Sequence, residues 1–130
     1  MKYVCLGYHD EVLWNAMPDH KRAEMLADSF AYANVLKENG HILAEQGLEG
    51  AQSAVTLRFD KSTVAVTDGP FAETKEQLGG FILLEANDLN DAIRLMSKMP
   101  CMRIGGSIEI RPVNENLNSQ AAAATAAARV

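Results

Sequence analysis

The stretch from Val66 to Phe81 places the tightest limits on how this chain can fold. It reads Val-Thr-Asp-Gly-Pro-Phe-Ala-Glu-Thr-Lys-Glu-Gln-Leu-Gly-Gly-Phe. A β-branched strand stops at Asp68-Gly69-Pro70, because glycine permits backbone that other residues avoid and proline fixes φ and donates no N–H. A charged, helix-permissive turn follows. Gly79-Gly80 then leads back into an apolar strand. Any fold for this chain has to bring two strands to the ends of that irregular crossing.

The flanking segments supply the strands and their cover. Tyr3 to Tyr8 is apolar on both faces, as a strand in the middle of a covered sheet is. Val12, Leu13, Trp14 and Met17 form a loop rich in apolar residues, with Trp14 packed beneath it or at an interface. A helix starts at Pro18-Asp19, with Asp19 as N-cap, and ends near Gly40. Ala23, Leu26, Phe30, Ala33 and Leu36 form its buried stripe, and Lys21, Arg22, Glu24 and Asp28 its solvated face. His41 to Glu45 is a short strand. Ser53–Phe59 and Thr63–Thr67 alternate with period two around Asp60-Lys61-Ser62, which predicts a hairpin.

After the irregular crossing, Phe81 to Ala86 is a second central strand. Asp88 caps a second helix, with Asp91 placed as in a capping box, and Leu89, Ala92, Ile93, Met96 and Met99 form its stripe until Pro100 ends it. Ser107 to Val113 is the last strand, and Pro112 marks it as an edge. The order is therefore β-α-β-(β-hairpin)-β-α-β. That is an α+β chain: a ferredoxin-like α/β sandwich with an extra β-hairpin. Two helices cover one sheet face, and nothing remains for the other, so a homodimer is the simplest partner arrangement.

Residues 1–113 form one domain, and 114–130 an Ala-rich tail read as a short helix resting on a neighbour or as an appendage. At 130 residues the chain is long enough to bury a core without a metal or a disulfide staple. A net charge of −5 argues against a phosphate-binding surface, hence against a nucleic-acid partner. The two cysteines, Cys5 and Cys101, make no framework, and Cys5 reads as a buried thiol. No run is apolar enough for a membrane span, and no basic segment precedes a long apolar one, so a cytoplasmic location is expected. No phosphate loop, dinucleotide fingerprint or His pair with metal-ligand spacing occurs, so no cofactor and no metal are expected.

The segment Val66–Glu76 with Leu78-Gly79-Gly80-Phe81 resembles the signature of the YCII-related "DGPF domain" family. The start Lys2-Tyr3-x-Cys5-Leu6 and the end Gly106-Ser107-Ile108-Glu109-Ile110-Arg111-Pro112 resemble that family's two ends. The resemblance implies a fold that pairs sheet to sheet in the dimeric α+β barrel manner. It also implies neighbours among extracytoplasmic-function sigma factors, a sigma-factor or stress context, and relatives that include a few enzymes of small cyclic substrates. In the broader superfamily a histidine on the first helix works with an acid; the corresponding part of this helix reads Asp28-Ser29-Phe30, without it.

Asp68 is the sharpest catalytic candidate. Held at a strand end before Gly-Pro, it either acts as acid/base under a dimer cleft or caps its own turn. Phe71 is a pocket wall or part of the core or dimer interface. Glu73, Lys75 and Glu76 are a solvated turn, or Lys75 meets an anionic ligand while Glu73 assists proton transfer. Arg111 pairs with Glu109 or a hairpin acid, or holds a ligand carboxylate. His9 stands beside Asp10 at the end of a central strand and joins the ligand-binding candidates. Three functions fit: a dimer that binds an unidentified small molecule; an isomerase or lyase without cofactor that acts on a small cyclic or carboxylated substrate through Asp68; or a dimerisation module.

Overall fold

A computed structural model describes residues 1–128. Six strands and four α-helices follow in the order β1 (Lys2–Asp10), α1 (Glu11–Ala16), α2 (Asp19–Glu38), β2 (Ile42–Gly47), β3 (Val55–Asp60), β4 (Thr63–Asp68), β5 (Glu76–Glu85), α3 (Leu89–Met96), β6 (Ser107–Pro112) and α4 (Glu115–Ala128). The main sheet has the order β2-β5-β1-β6, and every neighbouring pair is antiparallel. This is the ferredoxin-like arrangement: β1 and β5 lie centrally, and β6, with its Pro112, is an edge. β3 and β4 form a separate two-stranded sheet.

Period-two alternation sorts the main sheet. Tyr3 and Cys5 of β1 and Leu84 of β5 are buried, and they meet Ala33 and Leu36 of α2 and Ala92, Leu95 and Met96 of α3. Burial pushes the Cys5 thiol up to about 11, so it stays protonated in the core. Tyr32 Oη donates to Leu95 O at 2.7 Å and ties the two helices together. Asp88 caps α3 by accepting from Asp91 N at 2.8 Å, and Asp91 reaches back to accept from Asn87 N at 2.9 Å. Val4, Leu6 and Tyr8 point to the other sheet face, which the described residues leave without a helix layer.

Several local expectations are corrected. The apolar loop after β1 is a helix, because Asp10 accepts from Val12 N and Leu13 N at its start. Arg22, expected in solvent, closes that helix: its Nη1 donates to the carbonyls of Trp14, Asn15 and Met17 at 3.3, 3.1 and 2.6 Å. Tethering Arg22 rotates the first half of α2. Its inward stripe runs through Arg22, Met25 and Ser29 to Ala33 and Leu36, while Leu26 and Phe30 are 44% and 61% exposed. Asp19 is the first helical residue and not the cap. In α3, Leu95 takes the place of Leu89 and Ile93, and the helix stops at Met96, ahead of a 3-10 turn opened by Pro100. The tail does form a helix, α4, but all of its described residues are exposed, so it buries no side chain against the domain. Arg129 and Val130 of that tail lie outside the described residues.

Two outcomes test this frame. Leu84→Ala, at a fully buried position, should cost about 3–4 kcal/mol and lower the thermal midpoint by roughly 10–15 °C. The Asn87 N–H and then the Arg94 guanidinium hold the Asp91 carboxyl below its ordinary 3.8. Its stabilisation is complete above that value and fades as the pH falls through the lowered one. Urea midpoints of Asp91→Asn should therefore fall less steeply with acid than those of the native chain.

Candidate functional site

The irregular crossing between β4 and β5 is held from both sides. Gly69 has φ +106°, a conformation that disfavours any Cβ, and this lets the chain leave β4 sharply. Its N–H donates to Ala54 O at 2.7 Å, and its carbonyl accepts from Thr56 Oγ1 at 2.8 Å. Arg58, next on the same side of β3, donates from Nη2 to Phe71 O at 3.1 Å and lies 5.6 Å from the centre of the Phe71 ring. From β5, Gln77 Nε2 donates to Ala72 O and Thr74 O at 3.1 and 2.9 Å. These bonds satisfy backbone carbonyls of a segment that has no ladder partner.

β5 begins at Glu76, so the charged turn is strand and not helix at its end, and Gly79-Gly80 lies inside the strand. Glu76 pairs with Asp10 and Gln77 with His9, and the register slips where Gly7 faces Gly80 but Tyr8 faces Leu78. Gly79 is the extra residue of this bulge. A Cβ there would stand 2.5 Å from His9 Nδ1, so glycine makes room for the imidazole. His9 meets Trp14 edge to face at 6.3 Å.

Tyr8 and Asp10, one residue to either side of His9, point to the opposite face. There the loop walls a hollow of about 690 Å³, bordered by Tyr8, Val55, Leu57, Phe71, Gln77 and Leu78 among others. A neighbouring hollow of about 590 Å³ shares Tyr8, Thr74 and Glu76 and adds Asp10, Leu13 and Lys75. Asp10 is only 12% exposed; its Oδ2 lies 4.0 Å from Lys75 Nζ, while Oδ1 serves α1. Glu76 Oε1 accepts from Ser107 Oγ at 3.0 Å. The combined site has an apolar floor and a rim of three carboxylates (Asp10, Glu49 and Glu76), one ammonium and hydroxyls, the composition of a small-molecule site.

The sequence candidates divide. Phe71, 80% exposed, and Lys75 stand at this site. Asp68 ends β4 opposite Val55, exposed, and borders neither hollow. Glu73 is exposed and also outside the lining. His9 is on the helix-covered face. Arg111 pairs with Glu109 and faces Val4, four residues along β1 from Tyr8, or about 13 Å. Tyr8, Asp10 and Gln77 went unnoticed in the sequence. Alternation from the buried Cys5 would have found the first two, because it puts His9 with the core and Asp10 with the uncovered face.

Among the described residues no group of three or more His, Cys, Asp or Glu side chains could hold a metal ion, and no helix is long and apolar enough to cross a membrane. Residues 1–116 match the YCII-related domain. The chain is 33% identical over 114 residues to an uncharacterized protein of Rhizobium meliloti (strain 1021), covering 87% of this chain and 92% of that one. Among solved structures it is similar to 5-chloro-2-hydroxyhydroquinone dehydrochlorinase (TftG) of Burkholderia phenoliruptrix AC1100, in complex with 2,5-dihydroxybenzoquinone. The TM-score is 0.50 at 16% identity, over 89% of this chain and 98% of that chain. At that identity the likeness is one of fold, and it bears out the α+β fold.

Gln77→Leu keeps the volume of the side chain but removes both loop bonds. It should cost about 1–2 kcal/mol and speed amide exchange at residues 72–75, read by hydrogen-exchange mass spectrometry, while exchange in β1 stays slow.

Proposed function

The chain belongs to the YCII-related domain family, and from that membership we propose that it works as a homodimer that binds a small molecule in the hollow beside Tyr8. One observation carries this reading. The segment that resembles the family signature builds the wall of one site: Gly69 and Pro70 turn the chain, and Phe71, Thr74 and Lys75 face the opening, while Gln77 beside it pins the wall. A loop needed only to join two strands would not require bonds from both of them. The polar rim suits a small cyclic molecule with hydroxyl or carboxylate groups, which Tyr8, Glu76 and Lys75 would orient.

An acid/base reaction is the second reading. It is favoured by the fold shared with a dehydrochlorinase, whose solved complex holds a dihydroxybenzoquinone. An isomerisation or elimination needs a base near a bound ring and a donor for the developing oxyanion. Glu76 and Tyr8 stand where those tasks would be done. Asp68, as acid/base, would act from the rim of the hairpin and only on a ligand that a partner subunit holds against it. Sigma-factor or stress regulation would then be the setting in which the ligand is sensed or consumed.

A thermal-shift series separates the readings, starting from 2,5-dihydroxybenzoquinone and simple hydroxybenzoates as probes. Saturating ligand should raise the midpoint by several degrees, since about 100 Kd of ligand adds about 2.7 kcal/mol. Tyr8→Phe and Glu76→Gln should reduce the rise by half or more, and Asp68→Asn should lower turnover more than binding if the enzyme reading holds. No shift with any probe, or equal shifts in all variants, would leave the motif as a dimerisation module.

A further inference from the structure

The hollow beside Tyr8 is unevenly charged. Asp10, Glu49 and Glu76 border its two parts, and among the described residues Lys75 is the one cation that does, so the rim carries a net charge of −2. A fourth acid stands close behind: Glu11 Oε1 accepts at 2.8 Å from the N–H of Ala51, itself a lining residue. The Arg58 guanidinium is occupied by the Phe71 carbonyl and ring, and Arg58 borders neither part of the hollow.

These charges are not equally available. Lys75 Nζ lies 4.0 Å from Asp10 Oδ2, so the two offset each other, and Lys75 is 83% exposed, which leaves its field to be screened by water and salt. Glu49 and Glu76 have no ion-pair partner among the described residues. Glu76 gives one oxygen to the Ser107 hydroxyl and keeps the other unbonded. What remains unneutralised is therefore negative. It stands over apolar side chains, Val55, Leu57 and Leu78, and beside two aromatic rings, Tyr8 and Phe71. Aromatic faces attract positive charge as carboxylates do, and Phe71 already has the Arg58 cation 5.6 Å from its centre. A carboxylate entering here would meet two uncompensated like charges next to a surface that weakens their screening. An ammonium would meet opposite charges, and its three N–H donors would find the free oxygen of Glu76.

We propose that the ligand of this hollow is a small ring that carries a protonated amine, with the ring against Leu57, Leu78 and Phe71 and the ammonium at Glu49 and Glu76, and that the hollow turns away a carboxylate of the same shape. The assignment rests on the small-molecule reading above and narrows it: ring hydroxyls stay compatible with the rim, and a carboxylate does not. Lys75 tunes the preference, because by offsetting Asp10 it sets how negative the rim is.

Calorimetric titration of the full chain tests the assignment with three compounds that share one hydroxylated ring and differ in the charge of its side arm: tyramine, tyrosol and 4-hydroxyphenylacetate. At about 20 mM salt, tyramine should bind at least about tenfold more tightly than 4-hydroxyphenylacetate, with tyrosol between them, and the spread should narrow at about 0.5 M salt. Glu49→Gln with Glu76→Gln should bring tyramine to within about twofold of tyrosol. Lys75→Gln should widen the spread. Glu24→Gln takes the same charge from the exposed face of α2, which borders neither part of the hollow, and should leave the spread unchanged. All four positions are exposed, and circular dichroism verifies the fold of each variant. A carboxylate that binds as tightly as the amine, or an amine preference that survives the loss of both Glu49 and Glu76, would overturn the charge assignment and leave the small-molecule reading standing. Binding of 2,5-dihydroxybenzoquinone with none of the three compounds would do the same. Failure of all four to bind would overturn the small-molecule reading itself, and the charge assignment with it.

Discussion

The antiparallel pairing of β1 with β5 is the interaction on which everything else depends. It joins the two central strands over nearly the whole length of β1, from Lys2 opposite Glu85 to Asp10 opposite Glu76. Its alternation decides which residues belong to the core and which to the uncovered face. Tyr3, Cys5 and Leu84 go under the helices; Val4, Leu6 and Tyr8 go to the other side. The bulge at Gly79 then re-aims the last three pairs. Without it, Glu76 and Leu78 would change faces, and the hollow would lose its floor and one of its carboxylates. The bulge also seats the His9 ring, so one glycine links the core-side histidine to the site on the other side of the sheet.

The crossing loop illustrates how a motif can be strict without being catalytic in each position. Gly69 is there for its φ, Pro70 for its fixed direction, and Gln77 for two carbonyls that would otherwise lack partners. Arg58 and Thr56 of the hairpin complete the clamp from the other side. Such a loop is stiff although it has no regular structure. Stiffness matters at a binding site because the entropy of ordering the wall is lost on folding and not on binding.

Element types and strand order were largely legible in the sequence, because period-two and helical spacing report directly on which face is buried. Phase was less legible. The stripe Ala23-Leu26-Phe30 fits a helix as well as the observed Arg22-Met25-Ser29, and only the three carbonyls at the end of α1 that Arg22 caps decide between them. Since α1 itself was read as a loop, that signal could not be seen. The candidate site was legible as a segment but not as a set of contacts. Lys75 and Phe71 were found because they belong to the motif. Tyr8 and Asp10 come from a strand some sixty residues earlier, and what brings them to the loop is the register of a pairing that no local pattern states. Arg111 looked like a partner for the motif because it is charged on an apolar strand; the same register puts it toward the other end of β1.

Two of the three carboxylates at the rim, Asp10 and Glu76, are not equivalent. Asp10 gives one oxygen to two N–H groups of α1 and turns the other toward Lys75. Protonating it would loosen a helix start and an ion contact together, so its charge is committed to structure. Glu76 shares one oxygen with the Ser107 hydroxyl, and its second oxygen accepts no bond among the described residues. A group that exchanges protons with a ligand needs a lone pair that folding has not already engaged. Of these two acids, Glu76 has that freedom, and it sits on β5 rather than in the crossing, where the ladder with Asp10 keeps its position fixed. The sheet therefore treats the two acids differently: Asp10 is engaged at the start of α1, and Glu76 keeps one oxygen free beside the hollow.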